Sequence, residues 1–331
     1  MLLVVFGHLT YYFGWFDLGP LRTYWMGGLG VRIFFVHTCF VLMLSLERQR
    51  QSHGRSKFWA SFMVRRIFRI YPLSIVIVLI IVLLHLPQAE LDPGRFLSGS
   101  TDAGTIVRNL LLVQSPANSI LGPLWSLPYE LAMYVFLPFL FLFVDANKSI
   151  LRVAIVWAIS LLASFVFLAH WPDTDDFLVY VPCFLPGVIA YQLRRTARRQ
   201  LPAMAWPAVL GALVLLFLWR QTFVSNTWFK SWFVCLAFGV GVTYFAQISA
   251  RWLTLPSRLI AKYSYGVYLT HFACIWLAFN RLHDVLPRLG RFALFAVLVS
   301  ALPVLFYHLL EEPMIRLGRR VAARFESTTE R

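Results

Sequence analysis

Residues 66–86 read RIFRIYPLSIVIVLIIVLLHL, and this stretch decides the fold class. After Pro72 it carries an almost unbroken run of Ile, Val and Leu, and arginines precede it. A helix of about 20 apolar residues is long enough to cross the hydrocarbon core of a bilayer. We therefore expect residues 66–86 to form a transmembrane helix whose basic end marks the cytoplasmic side.

The rest of the chain has the same apolar character. Its 331 residues are 59% hydrophobic and 14% charged, whereas soluble domains average about 45–50% apolar and 25% charged residues. The expected fold is therefore an all-α polytopic membrane bundle of about ten transmembrane helices. The predicted spans are 1–16, 27–46, 66–86, 123–144, 150–170, 177–193, 203–221, 229–248, 263–280 and 292–310. The sixth of these is expected to be interrupted by Pro182 and Pro186. The apolar segment 106–113 is too short to be another span.

Basic residues cluster on one side of this pattern, in segments such as 48–69, 194–199 and 316–324, and the net charge is +15. Because cytoplasmic loops carry the excess of Lys and Arg, both termini are expected in the cytoplasm of a bacterial inner membrane. The acidic loop 173–176 then lies outside. The clusters form no continuous basic face, so we expect the lipid bilayer and not a nucleic acid as a partner.

We expect one membrane domain over residues 1–315 and a short basic cytoplasmic tail over 316–331. The four cysteines lie within apolar runs and none forms a C-x-x-C pair, which predicts neither a disulfide framework nor a metal site. The motifs H-E-x-x-H, G-x-x-x-x-G-K-[ST] and G-x-S-x-G are absent. A conventional metalloprotease, P-loop motor or hydrolase elbow is therefore excluded.

Two histidines lie within apolar segments, His8 in VVFGH and His37 in RIFFVHTCF. An ionisable side chain inside hydrocarbon is costly, so it usually faces a bundle interior or a wet cavity. A neutral imidazole can accept a proton near neutral pH, which suits a general base. The alternative for each is a histidine hydrogen-bonded between helices.

Arg65, Arg66 and Arg69 lie where a cytoplasmic segment enters the third span. Their i,i+3 and i,i+4 spacings place them on one helix face. Guanidinium groups there can clamp phosphates by bidentate hydrogen bonds, or they are ordinary positive-inside anchors. Pro72 is expected to bend or break the helix.

Polar residues also mark the fourth span. Trp125 and Ser126 precede it, and Glu130 follows Ser126 at i+4. Glu130 is either a structural partner of an Arg or His, or it orients a catalytic imidazole. Trp125 is either part of the site or of the aromatic belt at the membrane interface.

The last two spans carry a further set. Ser264, Tyr268 and His271 fall at i, i+4 and i+7, which is one helix stripe, and a polar stripe in an apolar span faces protein or water. Glu311 lies at the inner end of the tenth span, just before Pro313. It is either part of the site or a carboxylate that snorkels at a helix end.

Taken together and in order, these motifs resemble the acyltransferase-3 family of integral membrane acyltransferases. The resemblance covers nearly the whole chain and rests on VVFGH, GVRIFFVHTCF, R-R-x-x-R-I-Y-P, L-W-S-L-x-x-E, S-Y-x-x-Y-L-x-H and E-x-P. It implies transfer of an acyl group, usually acetyl, from cytoplasmic acyl-CoA to a hydroxyl of a saccharide or lipid-linked saccharide. It also implies that His8 is catalytic and that Arg66 and Arg69 lie near the CoA phosphates.

The expected site follows from the residues and the resemblance together. Acyl-CoA is a donor substrate, and no permanently bound cofactor is expected. The alternative function is a transporter or flippase that uses the same intramembrane residues. The catalytic candidates are His8, Glu130 and His37, the donor-binding candidates are Arg65, Arg66 and Arg69, and the supporting candidates are Trp125, Ser126, Ser264, Tyr268, His271 and Glu311.

The sequence departs from the family pattern near its ends. The family places an arginine ten or eleven residues before the histidine of the first span, and here that position would precede Met1. The opening run MLLVVFGHLTYYFGW therefore reads as the second half of a first transmembrane helix. The family often adds a C-terminal esterase-like domain, and none is expected before Arg331.

Overall fold

A computed structural model describes residues 1–53, 58–86, 89–92, 95–97, 102–147, 149–172, 176–195, 201–219 and 227–327. Most of these residues are helical. The helices are α1 (Leu2–Tyr12), α2 (Met26–His53), α3 (Phe58–Leu83), α4 (Ala103–Leu110), α5 (Leu127–Asn147), α6 (Ile150–His170), α7 (Phe177–Arg194), α8 (Ala205–Leu218), α9 (Thr227–Val242), α10 (Arg251–Ile275), α11 (Arg288–Phe306) and α12 (Glu312–Ser327). Two π-helical turns follow α10 and α11, at Trp276–Arg281 and Tyr307–Glu311.

The little remaining regular structure is short. The strands β1 (Asp17–Leu18) and β2 (Leu21–Arg22) pair antiparallel, as do β3 (Ala89–Asp92) and β4 (Arg95–Leu97). Short 3₁₀ turns cover Thr23–Trp25, Pro116–Asn118 and Gly122–Ser126. The predicted all-α membrane class is confirmed.

Each predicted span overlaps one α-helix of the structure, although several of these helices extend beyond the predicted limits. Among the described residues, 6 helical segments are long and apolar enough to cross a membrane, namely Thr23–Gln51, Phe58–Leu83, Gly122–Ala146, Ile150–His170, Phe177–Arg194 and Arg288–Phe325. Shorter apolar helices cover Leu2–Tyr12, Ala205–Leu218 and Thr227–Val242. The number of ten spans therefore stays a prediction. Segment 106–113 falls largely in α4, whose 8 residues cover only about 12 Å at 1.5 Å per residue.

The predicted topology and domain boundary stay predictions as well. Parts of the basic clusters, at 54–57 and 196–200, lie outside the described residues, as do 173–175 of the acidic loop and 328–331 of the tail. Helix α12 begins at Glu312 and runs across the predicted boundary between residues 315 and 316.

The chain divides into two compact units, which are described separately. The first comprises Met1–Phe16, Ala60–Pro128 and Leu255–Arg331, and the second comprises Asp17–Trp59 and Tyr129–Thr254. In the second unit α7 is the central helix, because α2, α6 and α9 all pack against it. Gly187 of α7 allows close approach, since a Cβ there would lie 2.2 Å from the Val36 carbonyl oxygen of α2.

Helix α7 continues through Pro182 and Pro186, although the sequence predicted an interruption there. A proline removes the hydrogen bond to the carbonyl four residues earlier. Here α6 replaces both bonds: the Ser164 hydroxyl donates to the Leu178 carbonyl at 2.8 Å, and the Trp157 indole donates to the Pro182 carbonyl at 3.0 Å. Such side-chain substitutes allow proline inside a membrane helix.

In the first unit α1 packs against the end of α10 and against α11. Residues of α1 at helical spacing, Val5, Leu9 and Tyr12, pack on a core that includes Ile275 and Phe279. The Tyr12 hydroxyl also donates to the Phe279 carbonyl at 2.8 Å, inside the first π-helical turn. These contacts set α1 along α10 and thereby position His8.

Helix α3 also belongs to this unit and is continuous from Phe58 to Leu83 with Pro72 inside it, so the proline does not break the helix. The segment before the 3₁₀ turn Gly122–Ser126 is held by buried amides. Asn109 donates to the Asn118 carbonyl and accepts from the Ile120 amide, both at 2.9 Å, and Gln114 donates to the Leu124 carbonyl at 3.2 Å. These bonds place Trp125 and Ser126.

Candidate active site

His8 meets a second histidine inside the first unit. Its ring centroid lies 5.1 Å from that of His271 on α10, with the planes at 58°. Phe272 presents an edge to the His8 ring at 6.1 Å. His8 is half-buried, whereas His271 is completely buried. His8 therefore keeps some accessible surface, whereas His271 is part of the protein interior.

The predicted stripe on α10 connects this pair to the segment before α5. Tyr268 is buried and its ring centroid lies 6.2 Å from that of His271. Its hydroxyl shares a hydrogen bond of 2.7 Å with the buried Ser126 hydroxyl. Ser264, at the start of the stripe, instead donates to the Ala261 carbonyl of its own helix at 2.9 Å. Four predicted residues, His8, Ser126, Tyr268 and His271, are thus brought together.

The environment of His271 determines which of its nitrogens is free. Nδ1 lies 3.0 Å from the Val267 carbonyl, four residues earlier on α10. A carbonyl only accepts hydrogen bonds, so Nδ1 carries the proton. In the neutral ring Nε2 is then an acceptor, and among the described residues this buried atom has no hydrogen-bond partner.

The arginines of α3 occupy two kinds of environment. Arg69 forms an ion pair with Glu311, whose side chain is 1% exposed against 24% for Arg69. Arg65 donates to the Ser61 hydroxyl at 3.4 Å, and the Arg66 guanidinium lies 5.9 Å from the Phe62 ring centroid. Both Arg65 and Arg66 are half-buried near the start of the helix.

Tyr265 joins α10 to the arginine end of α3. Its hydroxyl donates to the Ile70 carbonyl at 2.7 Å, and the Arg69 guanidinium lies 5.7 Å from its ring centroid. Sequence reasoning did not single out Tyr265, although it is the first tyrosine of the motif S-Y-x-x-Y-L-x-H. Phe272, which packs on His8, was also missed, because an aromatic residue in an apolar span carries no distinguishing signal.

The remaining candidates have separate surroundings. Trp125 is half-buried in the 3₁₀ turn of the first unit. His37 and Glu130 belong to the second unit. His37 is exposed on α2, and Glu130 is buried on α5, where it accepts a hydrogen bond from the Tyr134 hydroxyl four residues later.

An apolar cavity of about 310 Å³ lies among α3, α10 and α11 of the first unit. Its lining includes Ile77, Leu269, Thr270 and Leu298. The Thr270 hydroxyl already donates to the Gly266 carbonyl at 2.8 Å. This cavity suits hydrocarbon, and its lining also includes the Cys274 thiol.

A family model described as an acyltransferase domain, that of the acyltransferase-3 family, matches residues 1–308. The chain belongs to the acyltransferase-3 family. The match includes every candidate residue except Glu311, which lies just beyond it. No curated protein and no solved structure gives a significant match.

Membership confirms the resemblance seen in the ordered motifs. The chain is an integral membrane O-acyltransferase, and the transporter alternative is not supported. An acyltransferase-3 member needs a group that accepts the proton of the attacking hydroxyl, because an alcohol is a weak nucleophile at neutral pH. In the first unit the imidazole of the half-buried His8 has that chemistry.

Proposed function

We propose that this acyltransferase-3 member transfers an acyl group, most simply acetyl, from acyl-CoA to a hydroxyl of a cell-envelope or exported saccharide. The observation that carries the proposal is His8, a half-buried imidazole held beside the buried His271 in an O-acyltransferase. The Lys/Arg distribution supports a bacterial inner membrane with both termini in the cytoplasm.

In this proposal His8 is the general base. Its unprotonated nitrogen takes the proton of the acceptor hydroxyl as that oxygen attacks the thioester carbonyl carbon. The C–S bond then breaks, and the CoA thiolate leaves and takes the proton from His8. No resident cofactor is needed, since acyl-CoA is consumed as a substrate.

Arg65 and Arg66 are proposed to hold the phosphates of the donor. Both are half-buried near the start of α3, which the charge pattern places at the cytoplasmic side. A guanidinium fork binds phosphate oxygens by charge-assisted, paired hydrogen bonds. Arg69 contributes less to donor binding, because the Glu311 carboxylate already engages it.

The test measures CoA release and acyl incorporation by purified protein in detergent. Labelled acetyl-CoA and membrane saccharide are the substrates. The double variant R65Q/R66Q should raise the KM for acetyl-CoA by about tenfold or more, since each tenfold change is about 1.4 kcal/mol of binding. kcat should change little, because the phosphates lie away from the reacting carbonyl.

R288Q is the matched control, because Arg288 is exposed at the start of α11 and lies on the predicted outer side. It should leave the KM unchanged. If the wild-type protein binds acetyl-CoA but releases no CoA with any saccharide acceptor, the proposed donor and acceptor are wrong. If R65Q/R66Q and R288Q have the same KM, the phosphate site lies elsewhere.

A further inference from the structure

We propose that His271 is the positioning residue for His8: its Nε2 accepts a hydrogen bond from the N–H of His8 and so turns the other His8 nitrogen toward the substrate hydroxyl. The proposal uses His8 as the base and therefore rests on the proposed function. It adds a role for a residue that touches neither acyl donor nor acceptor.

The orientation of His271 itself leaves one nitrogen available to His8. Its Nδ1–H is held by the Val267 carbonyl at 3.0 Å, so the neutral ring presents only the Nε2 lone pair to its surroundings. That atom is completely buried and has no partner among the described residues. A buried acceptor without a donor is unfavourable, so the site is complete only when a donor faces it.

The distance between the two rings fits a direct hydrogen bond. A linear N–H···N bond of about 2.9 Å, plus roughly 1.1 Å from each nitrogen to its ring centre, puts two imidazole centroids about 5 Å apart. The observed separation of His8 and His271 is 5.1 Å. The observed separation is thus the one that such a bond requires, and in the proposal the bond forms when the His8 ring turns a nitrogen toward Nε2 of His271.

Both rings lie on helix segments that are anchored from outside the pair. Tyr12, one turn beyond His8, is bonded to the Phe279 carbonyl, and Phe272 packs edge-on against His8. Tyr268, one turn before His271, is bonded to Ser126. These contacts anchor the turns of α1 and α10 that carry the two imidazoles.

The proton balance follows from this arrangement. Neutral His8 donates its single N–H to His271 and keeps a lone pair for the acceptor hydroxyl. When His8 takes that proton it becomes an imidazolium, and its bond to His271 becomes charge-assisted and stronger. His8 then returns the proton to the departing thiolate. His271 stays neutral throughout, which makes it a positioning residue and not a second base.

The test uses substitutions that keep or remove the acceptor at the Nε2 position. H271Q places an amide oxygen near that position, H271N places one nearer Nδ1, and H271F keeps the ring volume without an acceptor. H283Q is the control, because His283 is exposed in the segment between α10 and α11. Each variant is first checked for an unchanged elution volume and apparent Tm in detergent.

The first measurement is independent of acyl transfer. Diethylpyrocarbonate modifies an unprotonated imidazole nitrogen, and peptide mass spectrometry gives the rate at His8 at pH 7. Loss of the His271 acceptor should slow this rate about three- to tenfold in H271F and H271N, with H271Q and H283Q close to wild type. The same His8 rate in wild type, H271F and H271N overturns the proposal. If H271F does not fold, the comparison of H271Q with H271N decides.

The second measurement is steady-state acyl transfer. In H271F and H271N, kcat should fall about 30- to 100-fold with an unchanged KM for acetyl-CoA, and H271Q should recover most of it. Equal loss in H271Q and H271N contradicts positioning by an acceptor at Nε2. If His8 reactivity depends on residue 271 but the wild type transfers no acyl group, the pair exists and the proposed function fails. If the wild type transfers and H271F is equally active, the function stands and the pair is wrong.

Discussion

Removing Arg69 should destabilise the protein more than removing its partner Glu311. The Glu311 side chain is 1% exposed and that of Arg69 is 24% exposed. In R69Q a buried carboxylate loses its counter-ion, which costs about 3–5 kcal/mol in a fully buried pair and about 2–3 here, because Arg69 reaches water. In E311Q the arginine can turn toward solvent, so the loss should be roughly 1 kcal/mol.

The double variant R69Q/E311Q separates a structural role from one in donor binding. It leaves no buried charge, so it should be at least as stable as R69Q, and the two single effects should not add. The assay is the apparent Tm in detergent, followed by the fluorescence of the 12 tryptophans. At about 2 °C per kcal/mol for a long chain, R69Q should melt roughly 5 °C below wild type.

R288Q, which removes an exposed arginine of the same unit, is the control and should melt like wild type. The reasoning is refuted if R69Q has the same apparent Tm as R288Q. It is also refuted if the fall in Tm of the double variant equals the sum of the falls in the two single variants. A double variant that is stable but has a raised KM for acetyl-CoA would show that Arg69 also faces the donor.

Two further predictions concern packing in the same unit. The first concerns the 2.7 Å hydrogen bond between the Ser126 and Tyr268 hydroxyls, which should give a coupling energy of about 1 kcal/mol. The coupling is measured by unfolding S126A, Y268F and the double variant, and additive effects of the two single substitutions would contradict a direct bond. A Cβ on Gly318 would lie 2.5 Å from Cβ of Phe68, so G318A should lower the apparent Tm by an amount equivalent to about 1–3 kcal/mol. G290A is the comparison, because a Cβ on Gly290 would meet nothing closer than 3.4 Å, so this substitution should be neutral or slightly stabilising. If G318A and G290A have the same apparent Tm, α12 does not pack tightly on α3.

The helical fold was largely predictable because hydropathy reports burial in lipid directly. The stretch 66–86 gave a helix, and so did each other predicted span. What hydropathy does not report is hydrogen-bond register. It therefore gave no sign of the π-helical turns after Ile275 and Phe306. The predicted interruption at Pro182 and Pro186 does not occur, because Trp157 and Ser164 on another helix replace the hydrogen bonds that the prolines remove.

The part of the site that lies on a single helix was predictable from the sequence. The stripe of Tyr268 and His271 follows from helical spacing alone, and both residues are buried as expected. Contacts between distant segments have no local signal. Arg69 and Glu311 are 242 positions apart, and the tautomer of His271 depends on a backbone carbonyl. Pairing of this kind appears only when the helices are packed.

A single-turnover measurement shows whether His8 is the base of the acyl transfer. Protein in excess is mixed with labelled acetyl-CoA and saccharide acceptor, and the rate of label appearing on the acceptor is compared for wild type, H8A and H283A. H8A should bind acetyl-CoA like wild type and transfer at least about 100-fold more slowly, since a general base contributes 10²–10⁴-fold. H283A should match wild type. If H8A binds the donor and transfers as fast as H283A, His8 is not the base.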